Sequence, residues 1–191
     1  MELIPVTDLK QWVYCKRIVY YHRVMPAFGK PTFKMREAIA AQDLVESLEV
    51  RRGLQAYGFE DARRRFNVWL SDATLGLSGK ADLLLEAPGR VAVVDFKLTS
   101  GELGDNHRAQ LAGYSMLAEA VLGVPAKRAF VYRIPDNRIF AVDITPELRA
   151  AVLAAVAAIR QMCNVEWCPP PTPVRGRCVE CEFANYCADV W

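Results

Sequence analysis

The stretch GKADLLLEAPGRVAVVDFKL, Gly79 to Leu98, decides the fold. Its second half opens on the apolar run Val91 to Val94, as a buried strand does, and then places Asp95 and Lys97 two residues apart. Residues 80–86 read as a second strand, and Ala87-Pro88-Gly89-Arg90 between them carries turn residues. Side chains alternate faces along a strand, so Asp95 and Lys97 point one way while Val94 and Phe96 point the other. If the two strands pair across the turn, Asp82 lies beside Asp95. Two carboxylates and a lysine at the end of an apolar strand are costly to place there without a ligand.

The chemistry this set suits is metal-assisted phosphodiester cleavage. Asp82 and Asp95, with the Phe96 carbonyl, offer hard oxygen ligands to Mg²⁺ or Mn²⁺. Such an ion polarises a phosphate and lowers the pKa of its bound water, while Lys97 orients that water or neutralises developing charge. The plain alternative is a surface salt bridge to Lys97. In the following helix Gln110 and Tyr114 stand at i and i+4, hence on one face, where an amide and a hydroxyl suit phosphate or sugar oxygens.

Working outward, segments 63–70 and 73–79 read as further strands, split at Asp72-Ala73. Helices are expected from Thr7, as a cap, to about His22, from about 34 to 57, from 105 to 122 with a stop at Gly123, and from 146 to 162. Strands 127–133 and 138–144 flank the turn Pro135-Asp136-Asn137. Helices around a central sheet give an α/β or mixed α+β class in one domain.

The 191 residues, 52% hydrophobic and 24% charged, exclude a disordered chain. A net charge of +2 is too mild to predict a partner. Arg63, Arg64 and Arg65 form the densest basic run, read as a solvated face or, more weakly, a DNA-phosphate contact. The longest apolar run, 150–159, is about half the roughly 20 residues of a membrane span. The opening residues lack the layout of a signal peptide, so a cytoplasmic location and no membrane partner are expected.

The six cysteines occur only near the two ends. In a reducing compartment, clustered cysteines point to metal more than to disulfides. The tightest group is Cys178-x2-Cys181-x5-Cys187; three thiolates leave a tetrahedral ion or a cubane one ligand short. Cys15 is the candidate fourth, with Cys163 and Cys168 as alternatives, and spacing leaves iron–sulfur, zinc and free thiols or disulfides open. If Cys15 is the ligand, the centre ties the first helix to the last residues.

In order along the chain, the Cys15 helix, Gly79-x2-Asp82, Asp95-x-Lys97, Gln110-x3-Tyr114 and the C-terminal cysteines resemble the CRISPR-associated RecB-like exonucleases, Cas family four. The resemblance covers essentially the whole chain. It implies a PD-(D/E)XK restriction-endonuclease-like core and a 4Fe-4S cluster on Cys15, Cys178, Cys181 and Cys187. In that reading residues 1–191 form one nuclease domain, 1–30 supply one cluster cysteine, and 163–191 form the cysteine segment. The resemblance further implies cleavage of single-stranded DNA and trimming of prespacers before CRISPR integration. The implied partners are DNA ends and the integrase subunits Cas-one and Cas-two, with an oligomer left open. Asp82 and Asp95 look like the metal carboxylates, Asp95 standing where the family has Glu. Lys97 looks like the catalytic lysine, and Gln110 and Tyr114 look like the RecB-type fifth motif.

One departure concerns the family's histidine on the second helix, for which Gln42 stands here; Asp43 or Glu46 are candidates to compensate. His22 and His107 do not fit the missing role. The Gln42 departure motivates an alternative, a weakly catalytic subunit that reads DNA ends or motifs. A zinc or iron–sulfur regulatory or redox module is a further alternative, one that leaves the acids and Lys97 idle.

Overall fold

The computed structural model describes residues 2–25, 46, 49–98, 101–179 and 181–187. A mixed sheet of six strands carries the helices. The strands are β1 (Ile4–Pro5), β2 (Arg63–Asp72), β3 (Leu77–Ala87), β4 (Arg90–Lys97), β5 (Arg128–Arg133) and β6 (Arg138–Asp143). Their order is β1-β3-β4-β5-β6, with β2 also paired to β3. The β2–β3–β4 meander is antiparallel, and β4 and β5 run parallel, joined by helix α3 (Asp105–Leu122) as a crossover. Helices α1 (Val6–Tyr14), α2 (Lys16–Arg23), α4 (Pro146–Val165) and the short α5 (Ala184–Cys187) complete the described elements, with 3₁₀ turns at Leu54–Tyr57 and Arg175–Cys178.

The main core lies where α1, α3 and α4 cover the sheet, around Leu9, Leu84, Val93, Leu117 and Ile159. Contact between α1 and α3 is close because Gly113 has no side chain: a Cβ there would stand 2.7 Å from Leu9 Cδ1. A smaller core under the other face gathers Tyr57, Phe59, Leu83, Leu85, Val94 and Phe130. By length and composition α4 is apolar enough to cross a membrane, although its Val152, Val156, Ile159 and Met162 face belongs to the main core. The N-cap of α4 is Thr145, whose Oγ1 accepts from Leu148 N at 3.3 Å, with Pro146 in the first turn.

Three expected elements differ. Segments 73–79 and 80–86 are not two strands; β3 is continuous from Leu77, and the hairpin turn lies at 73–76. Asp72 makes that turn by accepting Leu75 N at 2.7 Å, and Gly76 takes a φ of 68°. The first helix starts at Val6 after Pro5, not at Thr7, and it is two helices. Between them Cys15 is extended, with φ −160° and ψ 115°. Of the helix expected over 34–57, residues 26–45 lie outside the described set. Its described end stops at Arg51, where Gly53 leads into the 3₁₀ turn.

Candidate functional site

Pairing decides where Asp82 goes. The β2–β3 ladder runs one residue for one residue but omits Asn67 opposite Asp82, and Asn67 carries a φ of 54°. On the Arg63 side of this point Phe66 and Leu83 belong to the smaller core; on the other side Val68, Leu70 and Ala81 belong to the main core. The hairpin therefore turns over at Asn67–Asp82. The β3–β4 ladder ends at Leu83 and Val94. Beyond it, Phe96 N donates to Asp82 Oδ2 at 2.9 Å, so a carboxylate takes over from the backbone as acceptor.

Asp95 is buried, 5% exposed, on the face that meets α3. Lys97 Nζ lies 2.6 Å from Asp95 Oδ2 and donates to Gln110 Oε1 at 3.3 Å. Tyr114, one turn beyond Gln110 on α3, is buried beside it. Burial, then the charges of Asp95 and Asp82, raise the Tyr114 hydroxyl pKa, so the ring is a neutral phenol facing the acids. Its place requires Gly79, where a Cβ would stand 2.8 Å from Tyr114 Cε1. The five expected residues thus meet at one end of the β3–β4 pair. Phe96 turns its ring to the far side, edge-on to Tyr132 at 5.9 Å.

Burial, then the negative charge of Asp95, pushes the Asp82 carboxyl up to about 6, while Phe96 N–H and Lys97 pull the other way. The half-buried Asp82 and the buried Asp95 set two carboxylates side by side, hard oxygen donors of the kind a divalent cation takes.

Two further residues join the site that the sequence reading did not single out as functional. Lys10, the residue after Leu9 on α1, is brought toward Asp82, Asp95 and Lys97; burial, then the Lys97 charge, lowers it to about 8. His107, one turn before Gln110 on α3, lines a cleft with Lys97, Leu103 and Arg133. Burial, then Lys97 and Lys10, push it down to about 4, so it is a neutral imidazole at the wall of the site. The i, i+3 spacing of His107 and Gln110 was a legible signal for this. His22 is elsewhere, with Nδ1 3.1 Å from Asp8 Oδ1.

Of the candidates on the second helix, Gln42 and Asp43 lie outside the described residues. Glu46 accepts from Asn67 Nδ2 at 2.5 Å, which brings it to the residue opposite Asp82. The basic run divides. Arg65 pairs with Glu86 at 2.7 Å, and Arg64 donates to the Arg52 carbonyl and stands 3.9 Å from the buried Glu49. Of the three, Arg63 is exposed and the other two are half-buried. Arg63 and Arg65, the latter 41% exposed beside Glu86, thus keep to the solvated side of this run, while Arg64 turns toward the buried Glu49.

At the other candidate centre, Cys15, Cys178, Cys181 and Cys187 line one cavity. Among the described residues the thiols stand around this space and do not close on a single point. Burial raises the Cys181 thiol, and Cys15, Cys178 and Cys187 add to the rise. The cavity is a junction between α2 and the C-terminal segment. Tyr21 stacks on the fully buried Phe183 with centroids 5.3 Å apart, an aromatic burial worth roughly 2–3 kcal/mol. Arg17 donates to Pro169 O at 2.8 Å, to Cys187 O at 3.1 Å and to Cys187 Sγ at 3.3 Å. Arg177 donates to Tyr14 O at 2.6 Å. Four thiols with a guanidinium beside them fit an anionic iron–sulfur cluster, which would take them as thiolates. Cys163 packs against the main core, and Cys168 is exposed outside the cavity lining.

The chain matches the family model of the PD-(D/E)XK nuclease superfamily over residues 12–188. It is 28% identical over 186 residues to the CRISPR-associated exonuclease Cas4 of Francisella tularensis subsp. novicida (strain U112), covering 97% of this chain and 94% of the relative. It is 26% identical over 193 residues to a CRISPR-associated exonuclease Cas4/endonuclease Cas1 fusion of Geobacter sulfurreducens (strain ATCC 51573 / DSM 12127 / PCA), covering 98% of this chain and 34% of the fusion. Among solved structures, the crystal structure of SSO0001 shares the fold with a TM-score of 0.59 at 20% identity, over 100% of this chain and 88% of that one.

Proposed function

The chain belongs to the PD-(D/E)XK nuclease superfamily, and from that membership we propose a metal-dependent deoxyribonuclease that trims single-stranded DNA ends during CRISPR adaptation. The observation that carries this reading is the meeting of Asp82, Asp95 and Lys97 at the end of the β3–β4 ladder, backed by Gln110 and Tyr114. Asp82 and Asp95, with the Phe96 carbonyl, are the residues that would hold Mg²⁺ or Mn²⁺. Bound there, the ion supplies a Lewis acid and a water acidic enough to act as nucleophile.

The chain's own residues do the rest. Lys97 holds Nζ between Asp95 and Gln110, where an ammonium offsets negative charge on the phosphate in the transition state. Gln110 fixes the lysine's direction. Tyr114, seated over Gly79, closes the cleft against water and holds a neutral hydroxyl toward the acids. Cys15, Cys178, Cys181 and Cys187 would hold a 4Fe-4S cluster that joins the ends of the chain. The fusion of relatives to a Cas1 endonuclease supports a Cas-one type integrase subunit as partner, with Cas-two completing the complex.

The test is cleavage of single- and double-stranded DNA with and without Mn²⁺, beside Asp95→Ala. Wild-type chain should cut single strands only with the ion present, and Asp95→Ala should lose at least about 100-fold of that rate while staying folded and brown. Equal cutting by the variant would overturn the reading.

A further inference from the structure

We propose that Trp69 and Lys80 form a stacking platform for single-stranded DNA beside the acid pair, the indole taking a base and the ammonium the adjoining phosphate. This rests on the nuclease reading and extends it from where the bond is cut to how the strand is held. Trp69 and Lys80 face each other directly in the β2–β3 ladder, and both are exposed. Trp69 is 68% exposed, and among the described residues no ring stacks on it. Leu70, its neighbour along the strand, turns into the main core, so the indole points to the outer face.

A lone surface apolar residue calls for no explanation. Three features set this one apart. Its cross-strand partner is a cation, the pairing that suits a base and its phosphate together. Lys80 follows Gly79, whose Cβ side faces Tyr114, so Lys80 and Trp69 share the opposite face of the strands, two residues or about 7 Å along β3 from Asp82. Lys80 is also close enough for its charge to act on Asp82. An unpaired strand presents bases free to stack, whereas a duplex keeps its bases inside, so the platform selects single strands. A protein segment would gain nothing from the cation beside the acids; a polyanion gains from both Lys80 and Lys10.

The experiment measures fluorescence anisotropy of labelled oligothymidylate, blunt duplex DNA and oligouridylate, using the full chain in an Asp95→Ala background so that the probes stay whole. Trp69→Ala should weaken oligothymidylate binding about 10- to 100-fold, and Trp69→Phe, which keeps a ring, should recover most of it. Lys80→Gln should lower the slope of log K against log salt by about 0.7. Duplex binding should change little. Unchanged oligothymidylate affinity in Trp69→Ala, with the wild-type chain still cutting, would overturn the platform and leave the nuclease reading standing. Trp69-dependent binding by a wild-type chain that cuts nothing would do the reverse. An equal loss on duplex, or tighter Trp69-dependent binding of oligouridylate than of oligothymidylate, would overturn the assignment to single-stranded DNA. Should Trp69→Ala fail to fold, unaltered salt slope in Lys80→Gln would itself overturn the platform.

Discussion

The acid–lysine centre and the cysteine cavity are built by different means. Asp82 and Asp95 project from strands locked by ladders, with Leu83, Leu84, Val93 and Val94 almost wholly buried beneath them. Its parts are in place before any ligand arrives, as a catalytic geometry requires. The cysteine cavity brings together residues from both ends of the chain, and side chains hold it: Arg17 to Pro169 and Cys187, Arg177 to Tyr14, Phe183 on Tyr21. Its C-terminal side is a 3₁₀ turn and the four-residue helix α5. Helices this short have little stability of their own. One region can wait for a ligand; the other would be organised by the cluster proposed for it.

Removing the proposed cluster tests that contrast most strongly. By analogy with a cross-link closing a loop of more than 100 residues, it contributes on the order of 5 kcal/mol. Iron chelation or Cys181→Ser should therefore lower the thermal midpoint by on the order of 10 °C. Hydrogen exchange should rise across 181–187 while 91–97 stays protected. Equal loss of protection in β4 would dissolve the distinction between the two regions.

A smaller effect is expected within the rigid centre. Gly79→Ala puts a methyl 2.8 Å from the Tyr114 ring, which is walled in by its neighbours. Overpacking of this kind costs about 1–3 kcal/mol, and the displaced phenol should lower kcat roughly 10-fold with the sheet intact. Tyr114→Phe combined with Gly79→Ala should show no recovery, since the ring and not the hydroxyl is what collides. Steady-state cleavage rates and melting curves check both.

The least effect belongs to His22, which links α2 to Asp8 and approaches Glu182 at 3.8 Å. The hydrogen bond to Asp8 raises its pKa above the ordinary value, against the pull of burial. The folded state thus binds this proton more tightly than the unfolded chain. The contribution is full below about pH 6.5 and disappears as pH rises through the raised folded value. The urea midpoint of wild type should exceed that of His22→Asn more at pH 5.5 than at pH 8, by under about 1 kcal/mol given the ring's partial exposure.

The sequence made the catalytic end legible because a period of two is unforgiving: once 91–97 is a strand, Asp95 and Lys97 must share a face. The β3–β4 turn then aligned Asp82 with Asp95. The other hairpin was misplaced because Asp72-Ala73 drew attention from Gly76, the residue able to take a positive φ. Cys15 was a different difficulty. Apolar residues keep helical spacing straight through it, and only the distant cysteines give a reason to interrupt the helix. Lys10 likewise looks like an ordinary polar position on an amphipathic helix, and only the seating of Leu9 at Gly113 carries it to the acids.

The interruption at Cys15 has a consequence for a chain deprived of its C-terminal partner. Both neighbouring segments are already wound, and a single residue's backbone angles keep them from joining. With nothing to reach toward, that residue is free to relax, and 6–23 would run as one uninterrupted rod. Loss of the ligand would then register locally as coiled structure gained, even as the molecule as a whole grows weaker.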